Sequence, residues 1–200
     1  VDATNVTWHG NEIDLSKPFT RKPILDLLKE VTGQDLGSAS DDTMKKICKA
    51  HNIDVEDNAN YGQMLDELLD ALVIPDLVQP TFVIDYPKAI SPLAKAHRNG
   101  DPNLVERYEL FIGGAEFANS FTELNDPIDQ RERLEAQAQL REQGDEEAQP
   151  VDENFIQAME CGMPPTGGVG LGIDRLTMLL TEQNTIKDVI LFPAMRTVDE

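Results

Sequence analysis

Apolar and polar side chains alternate along the opening of the chain. Val6 and Trp8 form one arm and Ile13 and Leu15 the other, with His9-Gly10-Asn11 between them. A period of two interrupted by a Gly-containing turn predicts a β-hairpin. Beyond residue 20 the period lengthens. Ile24, Leu25, Leu27, Leu28 and Val31 form a stripe at helical spacing; Pro23 suits the first helical position and Gly33 the C-terminal cap. The same spacing predicts helices near 41–51, behind Ser40, and near 62–73, with Met64, Leu65, Leu68, Leu69 and Leu72. Thr81 to Tyr86 is rich in β-formers and closed by Pro87.

The second half has another texture. Tyr108 to Phe121 reads as a strand, a Gly113-Gly114 turn and a second strand. Residues 127–143 are helical but carry few apolar positions, which predicts a surface helix. Gly144 to Glu153 is an acidic loop holding Asp145, Glu146, Glu147, Asp152 and Glu153, and Asn154 to Cys161 a short helix stopped by Gly162. Gly167 to Gly172 is a glycine-rich strand leading into a helix from Asp174 to about Thr181, and Val189 to Phe192 reads as a final strand. Hairpins and flanking helices without regular βαβ alternation predict an α+β fold on an antiparallel sheet.

Composition narrows the function classes. Hydrophobic residues at 40% and charged residues at 27% over 200 positions describe a globular chain. The 37 acidic against 17 basic residues give a net charge of -20, a field that repels phosphate backbones. Broad nucleic-acid binding by this chain alone is therefore excluded. A solvated acidic surface and a cation-binding cluster both remain open. Two cysteines, Cys48 and Cys161, make no disulfide framework; both are expected in the core, in a reducing cytoplasm. No apolar run reaches the roughly 20 residues of a membrane helix, and the opening carries no signal-peptide pattern. The histidines have no zinc-ligand spacing, and a Gly-x-Ser-x-Gly elbow is absent.

Three constellations could carry chemistry. With Gly113-Gly114 as a two-residue turn, Ile112 faces Ala115, Phe111 faces Glu116 and Glu109 faces Ala118. Glu109 and Glu116 then share a face as diagonal neighbours within roughly 8 Å. Such a pair repels unless a cation lies between, and magnesium suits two carboxylates completed by phosphates. The alternative is that one meets solvent or an arginine, Arg107 or Arg98. Second, Asn119, Phe121 and Glu123 recur at spacing two, which makes either a pocket for a small cation or an edge strand of mixed polarity. Glu116 and Asn119 differ by three, so a common site needs a bulge near Phe117-Ala118. Third, Gly168, Gly170 and Gly172 leave one strand face bare for a flat ring or another backbone. Arg175 follows in the first helical turn, where the dipole disfavours a cation; it is held either for an anion or in a salt-bridged packing corner.

Together these segments resemble one family. Tyr108-Glu-Leu-Phe111 followed by Glu116-Phe-Ala-Asn-Ser-Phe-Thr-Glu-Leu-Asn-Asp-Pro127 is similar to the active-site hairpin of class II lysyl-tRNA synthetases, and Gly168 to Arg175 is similar to motif 3. Pro80 to Pro87, Ile90-Ser-Pro-Leu-Ala94 and Ile190 to Arg196 match the lysyl branch. The resemblance implies the C-terminal part of the catalytic domain, after motif 2, with neither the anticodon-binding OB-fold nor motifs 1 and 2 among these residues. It divides the chain into a hairpin of the core (1–19), a helical insertion (20–80) and the core with motif 3 (81–200). It implies that the intact enzyme activates lysine with ATP and loads tRNA(Lys) as a cytoplasmic homodimer through motif 1, and that this piece alone is inactive. By resemblance Glu109 and Glu116 hold Mg2+, and Glu109, Gly170, Gly172 and Arg175 bind ATP, with Arg175 catalytic. Asn119, Phe121 and Glu123 line the lysine pocket. A synthetase-like regulatory module, or a paralogue that modifies a protein, is the alternative reading.

Overall fold

The computed structural model describes residues 4–142 and 148–194. Strands β1 (Asn5–Trp8) and β2 (Asn11–Asp14) form the opening hairpin. Its turn is the pair His9-Gly10, both at positive φ, so Asn11 already pairs with Trp8. A two-residue turn of this hand follows the natural twist of the two strands.

The main sheet has five strands in the order β3 (Thr20–Pro23), β4 (Thr81–Ile84), β5 (Arg107–Ile112), β6 (Ala115–Thr122) and β7 (Gly167–Leu171). Neighbours are antiparallel except β3 and β4, which run parallel. The exception follows from the connection: three helices between β3 and β4 return the chain to the end from which it left. The sequence pattern does not announce β3. Thr-Arg-Lys-Pro has no apolar alternation, and only the ladder to β4 makes it a strand.

Those helices are α1 (Ile24–Thr32), α2 (Asp41–Ala50) and α3 (Tyr61–Leu72). Gly33 ends α1 at φ 70° and returns its N–H to the Lys29 carbonyl. Ser40 caps α2, and Asn60 with Gln63 forms a reciprocal capping box on α3. Each cap satisfies N–H or C=O groups that a helix end leaves unpaired. The apolar stripes pack inward: Leu28, Met44, Ile47, Leu65 and Leu68 share one core with Val83 and Phe111 of the sheet and with Tyr86 just past β4. The opposite sheet face packs elsewhere. There Ile112 and Phe117 meet Val6, Trp8 and Ile13, together with Met178 and Leu179 of α6 (Ile173–Leu180).

Three expectations need correction. The polar helix α4 (Pro127–Glu142) is not confined to the surface: Gln130, Arg133 and Leu134 are buried. Arg133 is satisfied there by Asp129 and by the Ala94 carbonyl (2.7 Å), so its burial leaves no charge unpaired. Leu134 packs with Ile156 and Met159 of α5 (Glu153–Glu160). Cys48 is buried, but Cys161, just past α5, is exposed. Val189 to Phe192 is not a strand. No ladder partner reaches it among the described residues, and Leu191 and Phe192 stand 90% and 93% exposed. Of the acidic loop, residues 144–147 lie outside the described residues, as do residue 143 of the expected helix and Arg196.

Glu106 ties the loop before β5 to the sheet. Its carboxylate accepts from the Arg98 guanidinium and from the Thr122 hydroxyl (2.8 Å). The Arg98 contact, above all, holds its carboxyl down at about 2, against an ordinary 4.5. A depressed carboxyl contributes stability above the unfolded value and loses it as pH falls through the folded one. Replacing Glu106 by Gln should therefore flatten the loss of stability between pH 4.5 and 2 in an acid titration followed by circular dichroism. An unchanged acid limb would show that this contact does not contribute.

Candidate active site

The hairpin β5–β6 builds the site. Gly113 and Gly114 sit at φ 57° and 76° and make the two-residue turn, with Ile112 opposite Ala115 and Phe111 opposite Glu116. The register then shifts: Leu110 faces Ala118 and Glu109 faces Asn119, leaving Phe117 as an extra residue. A regular ladder would have set Glu109 against Ala118. Phe117 points to the opposite face, where its ring meets Trp8 edge-on at 5.7 Å between centroids. One inserted residue resets the parity of a strand. Glu116 and Asn119, an odd three apart, therefore share the face of Glu109.

On that face Glu109 is buried, and both of its oxygens are held by the protein. Its Oε1 accepts from the Arg107 guanidinium and from Asn119 Nδ2 (2.9 Å), and its Oε2 from the Tyr86 hydroxyl (2.8 Å). Arg107 also donates to the Ile90 carbonyl (2.7 Å) and to Ser91 Oγ (3.0 Å), and lies over the Tyr86 ring. Burial and the Glu109 charge push the Tyr86 hydroxyl far above its ordinary range, so it stays a donor. Of the two arginines considered from spacing, Arg107 meets Glu109, whereas Arg98 pairs with Glu106.

Glu116 differs. Its carboxylate has no hydrogen bond or ion pair among the described residues. Burial first, then the charge of Glu109, raises its pKa, while Arg175 and Arg107 pull it down. Arg175, exposed in the first turn of α6, donates to the Glu116 carbonyl (2.6 Å) and has no carboxylate partner among the described residues. It is thus tied to β6 through the backbone, while its charge acts on the Glu116 carboxylate without a direct ion pair.

Glu123 follows the end of β6. Its N–H bonds to the Thr166 carbonyl (2.9 Å), while its carboxylate lies against Gly168, unpartnered among the described residues and raised in pKa by burial. Asn119 and Phe121 pair with Gly170 and Gly168 across the ladder, so the bare glycine face continues the face of Glu109. The site is an open sheet surface that carries, among the described residues, two carboxylates without a hydrogen-bond partner and one guanidinium without a carboxylate partner. Opposite charges held apart in this way await a ligand bearing both signs.

Among the described residues, no three His, Cys, Asp or Glu side chains form a metal cluster on their own. The donors fit magnesium in another way. Glu116 is free, and Glu109 Oε2 accepts a single hydrogen bond and retains a lone pair. Two hard carboxylates completed by phosphate and water are a usual magnesium set.

Arg107, one of the two arginines that the spacing offers as a partner, does meet Glu109. Tyr86 gave no signal, being 23 residues away in sequence.

The family described as tRNA synthetases class II (D, K and N) matches residues 3–196. The chain belongs to this family. Among the relatives of this class II chain, the lysine–tRNA ligase of Leuconostoc mesenteroides is 50% identical over 98% of it. The lysine–tRNA ligases of Enterococcus faecalis and Gloeobacter violaceus are 50% and 51% identical over 96% and 97% of it. The chain spans 39% of the length of each. Its mixed sheet with flanking helices agrees with a class II catalytic domain. No helix among the described residues is long and apolar enough to cross a membrane.

Proposed function

We propose that the protein containing this chain activates lysine with ATP to lysyl-adenylate and transfers the lysyl group to tRNA(Lys). The observation that carries this reading is the unpartnered Glu123 carboxylate lying on the glycine face, within one surface with Glu116 and Arg175. The identity to lysine–tRNA ligases supports it.

Glu123 meets the ε-ammonium of lysine. Asn119 and Phe121 line the path to it, and Asn119 is itself held by Arg107 and Glu109. ATP lies along the bare face at Gly170 and Gly172, where an added Cβ would meet nothing closer than 3.6 Å. Arg175, free of carboxylates, neutralises phosphate charge as it develops; a preorganised cation of this kind contributes several kcal/mol to a transition state. Glu116 and the remaining lone pair of Glu109 hold Mg2+, which when bound neutralises and orients the phosphates. The intact protein is read as a cytoplasmic homodimer. Residues 1–19, 20–80 and 81–200 are read as core hairpin, helical insertion and catalytic core.

Lysine-dependent ATP–pyrophosphate exchange by the intact protein tests this. Exchange with lysine, and none with norleucine, is expected, because norleucine keeps the carbon chain and lacks the ammonium. Exchange driven equally by norleucine would overturn the reading.

A further inference from the structure

The three alternating glycines are equivalent in the sequence but not in space. A Cβ built on Gly168 would lie 2.1 Å from Glu123 Oε1 and 3.2 Å from its Cδ. On Gly170 the nearest atom would be the Asn119 carbonyl oxygen at 3.7 Å, and on Gly172 the Phe117 carbonyl oxygen at 3.6 Å, both ordinary contacts. Gly168 is not at positive φ, so the backbone does not require a glycine there.

We infer that Gly168 is a specificity-determining residue, kept bare so that the Glu123 carboxylate can lie flat on β7 and face the lysine ammonium. Gly170 and Gly172 leave open the surface taken by the nucleotide. The inference rests on the proposed lysine activation and names what places its charge.

Neither backbone can retreat. Glu123 is held by Thr166 (2.9 Å), and the Gly168 carbonyl accepts from Ser120 Oγ (2.7 Å) while the strand pairs with Phe121. A methyl group at 168 therefore moves the flexible end of Glu123, not the sheet. Turning a half-buried carboxylate aside disturbs the fold little. It misplaces the charge that faces the lysine ammonium, and an error of about 1 Å in a positioned group can cost on the order of a hundredfold in rate. The residue acts through Glu123, so it positions and does not catalyse.

The test is Gly168→Ala in the intact protein, with lysine and ATP titrated separately in pyrophosphate exchange. Lysine KM should rise on the order of a hundredfold, with ATP KM changed less than about threefold. The thermal midpoint of the unliganded protein should hold, while the stabilisation conferred by saturating lysine in the wild type should vanish at the same lysine concentration. Gly170→Ala should show the opposite split, raising ATP KM more than lysine KM. Adding Glu123→Asp, one methylene shorter, should shrink the effect of Gly168→Ala at least tenfold relative to its effect beside Glu123. An unchanged lysine KM in Gly168→Ala, or equal rises in both KM values with a lowered midpoint, would overturn the inference. A wild-type protein without lysine-dependent exchange would overturn the functional reading instead.

Discussion

Glu123→Gln in the intact protein should lower lysine kcat/KM by about 2–5 kcal/mol of transition-state stabilisation, the scale of a truncated desolvated charge pair. The substitution keeps shape and removes charge. Desolvating an ammonium is costly unless an opposite charge meets it, and Glu123 is the carboxylate proposed to do so. ATP KM should move far less, because Glu109, Glu116 and Arg175 are untouched. The pH profile gives a second signature. Burial raises the Glu123 pKa, and only the ionised form binds an ammonium, so lysine kcat/KM should climb as pH rises through that raised value. The climb should be absent in the Gln variant. Lysine kcat/KM equal to wild type would show that the ammonium is recognised elsewhere.

Gly113→Ala should destabilise the fold by about 2–5 kcal/mol, from two sources that add. At φ 57° a side chain strains the backbone by about 1–2 kcal/mol. The added methyl would also lie 2.2 Å from Trp8 Cδ1 and 2.9 Å from its Nε1. Trp8 cannot yield: it is buried, with Phe117 against its ring, and its indole N–H already lacks a partner among the described residues. Overpacking of this kind costs about 1–3 kcal/mol. Gly10→Ala is the control, since its φ of 82° is also positive but nothing lies within 4 Å. It should incur only the backbone strain. Urea unfolding followed by circular dichroism reads both variants. Equal midpoints for Gly113→Ala and Gly10→Ala would remove the packing half of the argument.

Part of the site was legible because its cues are short in range. The Gly113-Gly114 turn, the spacing of Asn119, Phe121 and Glu123, and the alternating glycines all act within a few residues. The partners of Glu109 were only half legible. Arg107 sits two positions away on the same strand, but Tyr86 arrives from β4's far end through the fold. The bulge could be stated only as a condition for Glu116 and Asn119 to share a face. Its extra residue, Phe117, packs against Trp8, which comes from a hairpin about a hundred residues earlier.

By itself the sequence determined the helices α1 to α3 with the Gly33 and Ser40 caps, both hairpin turns, the strand character of β4 to β7 and the family, while Pro23 stands one place before the helix and not at its first position. Hydrophobic period, capping chemistry and turn residues act locally, and each is complete within one segment. Only the tertiary structure decided that the polar β3 is a strand, that Arg133 is buried and that Val189–Phe192 forms no strand. It alone separated Gly168 from Gly170. Each of these outcomes depends on what a distant segment places alongside: a ladder for Thr20–Pro23, an Ala94 carbonyl for Arg133, a carboxylate above Gly168. Such contacts have no period, so no pattern along the chain encodes them, and they exist only once the segments have packed.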